Sequence, residues 1–241
     1  DVFAEFRNKN INNLIVDLRY NGGGSVKNCV ELASMITGQF ESGVFAQEQW
    51  NSKLISYLEK RFGSESLINR FVDTLSNGSP INSLKLDRVY VITSSESASA
   101  SELLINGLSS YIEVIQIGER TVGKNVGSIT VYDYIDNEKT KNPDHTYAMQ
   151  PIVLKIANSD GYADYTEGLQ PDRLIEEDIA NLGVLGNIGE PLLKSTLNLI
   201  SGTKKGIFKK PKLNKEFLII DPLMLKRQKM IIEKNINYLL R

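Results

Sequence analysis

The chain has 241 residues, 41% of them hydrophobic and 24% charged, enough to bury a sizeable core in one large domain or a domain with an appendage. Lys and Arg number 28 against 29 Asp and Glu, for a net charge of −1, which offers no electrostatic case for nucleic acid. A lone cysteine, Cys29, excludes an intrachain disulfide and a cysteine-built metal site, and a lone histidine, His145, argues against a zinc protease, whose site usually needs two.

The chain starts without Met and enters structured-looking sequence at Val2, Phe3 and Phe6, so it reads as a processed piece with any targeting segment missing. Leu14-Ile15-Val16-Asp17-Leu18 is a short apolar run ending in Asn21-Gly22-Gly23-Gly24, the pattern of a buried strand feeding a glycine turn. Val26, Val30, Ala33 and Ile36 then recur at helical spacing, and Gly38 can stop that helix. Cys29 falls inside this run and reads as a small buried hydrophobe. The stretch from Glu41 to Ser79, which contains Trp50, is expected to hold two helices.

The same grammar returns at Arg88 to Thr93, a second buried strand, followed by a Ser/Ala-rich turn and a helix from about Ala100 to Ser109. Glu113 to Gly118 is a third strand, and strands alternating with helices predict a layered α/β core. From Val126 the pattern turns to alternating and aromatic residues, so Ile129 to Ile135 and Tyr147 to Ile156 are expected to form a hairpin around the polar loop Asp136 to His145. Gly189 to Ile200 gives one more helix. The reading places a catalytic domain at 1–202 and, at 203–241, a basic linker and a C-terminal helix with Ile232, Ile236, Leu239 and Leu240 on one face. No run of 18 apolar residues is present, so no membrane-spanning helix is expected.

A hydrolytic serine needs a base, oriented donors for an oxyanion and a groove for substrate. Ser97-Ala98-Ser99-Ala100-Ser101-Glu102 lies where a strand meets a helix, which exposes a side chain and aims helix N-terminal amides at it. By itself the hexapeptide reads more readily as a serine-rich helix cap with a Glu near the first turn, a common pattern. Thr121-Val122-Gly123-Lys124 offers an amine that can serve as general base when it is neutral, although a Gly-Lys after a strand is ordinarily a solvated turn. The glycines at 22–24 could lend amides to an oxyanion, together with Ala100 just after the nucleophile.

The combination is more specific than its parts. Leu14 to Arg19 with Asn21 and the glycines, Ser97 to Glu102, Gly118 to Lys124, and Glu167-Gly168-Leu169-Gln170-Pro171-Asp172 follow one another in the order found in the tail-specific (C-terminal processing) serine proteases, the S41-type peptidases, which the chain resembles over roughly Asn12 to Ile200. The resemblance implies Ser99 as nucleophile and Lys124, twenty-five residues later, as general base, with Gly23 or Gly24 and Ala100 as oxyanion hole and no metal or cofactor. It also implies a stacked βαβ core related to the Clp protease and crotonase folds, here with an added β-hairpin and C-terminal helix. Polypeptide substrates, a periplasmic or cell-envelope location and a homo-oligomer built through the C-terminal helix are further expectations of that kind.

Three departures stand out. Relatives often carry a Gln four residues after the lysine, where this chain has Ser128, the candidate third member of the site. Some carry an Asp at the place of Ser110, and many a Pro at the place of Gly22. His145 follows Ser99 in sequence and reads as a solvated loop residue, as do Asp172, Glu176, Glu177 and Asp178 as loop and helix-start charges. The rival from another class is a hydrophobic-ligand or peptide-binding module of the same fold, since fold alone does not fix function. A crotonase-like enzyme finds no acidic pair or CoA site in support.

Overall fold

The computed structural model describes residues 1–137 and 139–203. In chain order the elements are α1 (Val2–Asn8), β1 (Ile15–Asp17), α2 (Val26–Ile36), β2 (Val44–Trp50), α3 (Ile55–Phe62), β3 (Ile68–Arg70), β4 (Arg88–Thr93), α4 (Ala100–Ser109), β5 (Glu113–Gly118), β6 (Val126–Ser128), β7 (Val131–Tyr132), β8 (Ala148–Met149), β9 (Ile152–Asn158), β10 (Arg173–Leu174) and α5 (Pro191–Ile200).

β1, β4, β5 and β10 form a parallel sheet in the spatial order β1-β4-β5-β10. β1, β4 and β5 are mainly apolar because their faces are largely covered, while the two-residue β10 at the edge is exposed. Val89 and Val91 of β4 face the main core with α2 and α4, while Tyr90 and Ile92 point the other way, onto Ile117 and Leu192 of α5. Val16 lies opposite Val91, which in turn faces Gln116, so β1, β4 and β5 end level with one another.

The second sheet is antiparallel, in the order β3-β2-β9-β6. α4 lies between the two sheets and is buried at every position from Ala100 to Leu108, Glu102 and Asn106 included. Gly107 lets the ring of Phe45 on β2 come against the helix; an added β-carbon would lie 2.4 Å from that ring. The expected hairpin forms as one antiparallel arm, with Ser128 opposite Ile152 and, further out, Val131 opposite Met149.

The expectation of two helices between Glu41 and Ser79 needs correction. That stretch holds one α-helix, α3, and a single 3-10 turn at 64–67, flanked by β2 and β3. β2 is an interior strand that buries Ala46, Glu48 and Trp50 and turns Gln47 and Gln49 outward, so the polar Glu48 at an inward position hides its alternation from the sequence. α5 starts within two residues of its expected place, with Pro191 at its first position and the Glu190 carboxylate accepting from Leu192 N and Leu193 N. The basic linker and C-terminal helix expected at 203–241 lie, Thr203 apart, outside the described residues. No helix among the described residues is long and apolar enough to cross a membrane.

This topology sets the loops after β1, β4 and β5 side by side, at the C-terminal ends of three adjacent parallel strands. Open α/β sheets place their ligands at that edge.

Candidate active site

The loop after β4 carries three serines in close succession, and their hydroxyls fare differently. Ser97 Oγ donates to Leu18 O at 2.8 Å and accepts from Ser94 N, pinning the turn to the end of β1. Ser101 Oγ lies 2.9 Å from Asn21 O and 3.0 Å from Asn21 Oδ1, which binds the start of α4 to the glycine turn. Ser99 Oγ is buried and, although placed in a capping box over the Glu102 amide, makes no full hydrogen bond. Its backbone stands at φ 64, ψ −117, a conformation that costs a non-glycine residue on the order of 1–3 kcal/mol and persists only where the surroundings enforce it.

Gly23 is part of that enforcement. Its φ is 93, and a β-carbon there would lie 2.7 Å from Cβ of Ser99 and 2.6 Å from Ala100 N, so only glycine allows the turn to press against the serine. The Gly23 N–H is already given to Asn21 Oδ1 at 2.9 Å. Of the two glycines expected in an oxyanion hole, Gly24 is therefore the better suited, alongside Ala100, whose amide heads α4 and has no partner within the helix.

The loop after β5 meets the serine loop through Glu102. Its Oε2 accepts from Ser99 N at 2.7 Å and from Lys124 N at 2.8 Å, while Oε1 accepts from Thr121 Oγ1 and Gly123 N, each at 2.5 Å. Val122 N reaches Ser97 O at 3.0 Å. The fourth motif closes on the third: Thr121 N and Oγ1 bond to Leu169 O and N, and Gly123 packs onto the backbone of Thr166 and Gly168. All four sequence motifs thus converge on one edge of the sheet. The backbones of Ser99 and Lys124 share a single carboxylate oxygen, yet Ser99 Oγ receives no hydrogen bond from Lys124 in this conformation.

Ser128 stands on β6, just past a register shift that follows Gly127. Ser110 caps the far end of α4 from Ser99, so it has no place beside the nucleophile. Cys29 is buried, its Sγ 3.3 Å from Ala100 O, and burial pushes its thiol well above the ordinary range, leaving it protonated. His145 bonds to Asp133 and to Tyr147 N on the arm beyond β6.

Asp172 and Glu177 are loop charges, as expected, and each also ties one segment to another. Asp172 Oδ2 accepts from Gln116 N at 2.8 Å and ties the approach to β10 onto β5. Glu177 takes the Tyr20 hydroxyl and Arg19 Nη1, and Arg19, its side chain buried, also binds Asp17 and Glu190. Hydrogen bonds to Asp17 and Glu190 outweigh burial and hold the guanidinium even further above its ordinary range. The contacts of Arg19 and Tyr20 with Glu177 and of Arg19 with Glu190 span more than 150 residues, so no local pattern announces them.

Tyr165 escaped the sequence reading altogether. It is 3% exposed with a hydroxyl that has no partner, and burial, reinforced by the charge of Glu102, pushes its ionisation upward. Among the described residues no cluster of His, Cys, Asp and Glu could hold a metal ion.

Among solved structures, an S41 protease from Bacteroides fragilis NCTC 9343 is 25% identical over 84% of this chain and 48% of its own, with a TM-score of 0.68. A photosystem II D1 C-terminal processing protease shares the fold at 21% identity, covering 79% of this chain and 43% of its own with a TM-score of 0.50. The chain therefore spans about half the length of each of them. No curated protein matches it. The sequence model of peptidase family S41 matches residues 1–173, a span that takes in all four motifs gathered at this edge, and the chain belongs to that family.

Proposed function

We propose that the chain carries the catalytic core of a serine endopeptidase in which Ser99 is the nucleophile and Lys124 the general base. The observation that carries this reading is Ser99 itself: a strained, buried serine at a strand-to-helix turn whose hydroxyl is unengaged while its neighbours Ser97 and Ser101 are both tied down. Strain and an unpaired polar atom together oppose folding, and such features concentrate at working sites.

In the proposed reaction neutral Lys124 Nζ takes the proton of Ser99 Oγ as the oxygen attacks the scissile carbonyl carbon. The amides of Gly24 and Ala100 receive the oxyanion. As the C–N bond breaks, Lys124 returns the proton to the leaving amine. Water then attacks the acyl-enzyme, losing its proton to Lys124, and Ser99 leaves as the hydroxyl. Because Ser99 is buried and not yet bonded to Lys124, the reaction requires a shift that admits substrate and turns the lysine toward it. Ser128 remains the candidate for steadying the amine. β6 is an outer strand of its sheet and begins two residues after Lys124, which suits a polypeptide laid alongside as an added strand. Preference for C-terminal tails and work in the periplasm or cell envelope are proposed on the family resemblance.

The test is covalent labelling of the 241-residue chain by a fluorophosphonate, read by intact mass and peptide mapping, with hydrolysis of unfolded polypeptides measured in parallel. One adduct, on Ser99, lost with Ser99→Ala and slowed at least ~100-fold by Lys124→Ala, is the expected result. A folded protein that takes no adduct would favour the binding-module reading, to which the buried, unpaired Ser99 also lends itself.

A further inference from the structure

We infer that Glu102 is the positioning residue of this site, the group that sets Ser99 and Lys124 in register. The inference rests on the proposed pairing of those two residues. A glutamate at the third position of a helix commonly caps by bonding back to the amide of the first residue, and the bond from Ser99 N to Oε2 does that. The other three bonds have no capping role. They come from Thr121 Oγ1, Gly123 N and Lys124 N, on the loop after β5, 19 to 22 residues away in sequence.

The arrangement needs a carboxylate. Both oxygens of Glu102 face two donors each, and the side chain is fully buried, so no water can substitute. A glutamine must set its NH2 against one pair. On one side it meets the amides of Ser99 and Lys124, neither of which can accept. On the other it meets the Gly123 amide, which cannot accept, and the Thr121 hydroxyl, which can take it only on the lone pair left beside the bond from Leu169 N. The first orientation abolishes the oxygen shared by Ser99 and Lys124 and the second loses the Gly123 bond, so either loosens the tie between the two loops. Shared attachment to one oxygen fixes how far apart the two backbones can drift, and misplacement of reacting groups by about 1 Å can cost on the order of 100-fold in rate. Val122 N to Ser97 O and Ser95 N to Glu119 Oε2 also join the serine loop to the lysine loop, but of these bonds only those of the Glu102 carboxylate hold the backbones of Ser99 and Lys124 themselves.

The experiment measures the rate of Ser99 labelling by a fluorophosphonate in the 241-residue chain carrying Glu102→Gln, Lys124→Ala or both, with the folded fraction checked by circular dichroism. Expected is a loss of at least ~30-fold with Glu102→Gln in folded protein, and less than ~3-fold further loss when it is added to Lys124→Ala, since a positioning residue has nothing left to position. A merely structural glutamate would slow both backgrounds alike, and that result overturns the inference. If Glu102→Gln does not fold, Thr121→Val and Thr121→Ser decide. Valine deletes one donor and should slow labelling ~5-fold or more, serine keeps the hydroxyl and should restore the rate, and equal rates for the two overturn the inference. Slowing by Lys124→Ala alone, with Glu102→Gln and Thr121→Val at the parent rate, removes the role of Glu102 and leaves the dyad. Unchanged labelling in Lys124→Ala, or no adduct on the parent, removes the dyad and this inference with it.

Discussion

Gly23 backs directly onto Ser99: a β-carbon added to the glycine would come within 2.7 Å of Cβ of the serine. Two loops that follow different strands are thereby packed without a side chain between them, at the point where the serine backbone is forced out of its ordinary range.

Gly23→Ala should therefore be among the most damaging small substitutions in the chain. The left-handed φ of 93 and the contact with Ala100 N act in the same direction. A loss of about 2–4 kcal/mol is expected, from backbone strain and overpacking together. Urea unfolding monitored by circular dichroism checks the stability, and labelling of Ser99 should vanish even in the folded fraction.

Ser99 should behave in the opposite way. Ser99→Ala removes a buried, unpartnered hydroxyl, so stability should hold or rise by about 1 kcal/mol. Ser99→Gly also relieves the positive φ of 64 and should gain a further ~1 kcal/mol. Both should lose all peptidase activity. Midpoints of urea unfolding for the three proteins test the order Gly, Ala, Ser; a parent more stable than both variants would contradict the strain assigned here.

Arg19 is the buried cation of the β1 end, held by Asp17, Glu177 and Glu190. Arg19→Ala leaves the carboxylate of Glu190, 1% exposed, without its cation, and should cost about 3–5 kcal/mol. Arg19→Lys should recover little, because one ammonium cannot span three carboxylates as the guanidinium fork does. Thermal and urea unfolding of the two variants against the parent will show whether this is so.

The alkaline limb of stability carries a specific signature. Burial raises the Cys29 thiol above its usual 9.0, so once the pH passes about 9 the unfolded chain gives up a proton that the folded chain keeps. Folded protein then binds more protons than unfolded, and stability falls as pH rises. Tyr165 and Tyr20, raised by burial and by their glutamate neighbours, add the same sign above about 10. Cys29→Ala should flatten the slope between pH 9 and 10 and Tyr165→Phe the slope above it, with Tyr165→Phe also gaining ~1 kcal/mol at neutral pH by deleting an unpaired hydroxyl. Urea midpoints measured from pH 7 to 11 test each slope.

Much of the scaffold was legible in the chain itself. The runs Leu14 to Leu18, Arg88 to Thr93 and Glu113 to Gly118 are apolar because a parallel sheet covered on both faces demands it, and the Gly and Ser clusters that follow them mark where the chain must turn. Family resemblance, carried by four ordered motifs, pointed to Ser99 and Lys124. Burial and backbone conformation leave such local traces because they constrain each residue by type and spacing.

Partnership across the fold leaves none. β2 was hidden because Glu48, bonded to Trp50, takes an inward position, so burial alternates along the strand while hydrophobicity does not. Ser99 and Asp17 apart, the donors around Glu102 and the carboxylates around Arg19 come from segments 19 to 171 residues away. Only tertiary structure decided that Glu102 is more than a helix cap, that Ser97 and Ser101 are tied down while Ser99 is not, and that the Gly23 amide is already spent on Asn21. A hydrogen bond is a matter of position in space, and its far partner exerts no constraint on the residues beside the near one.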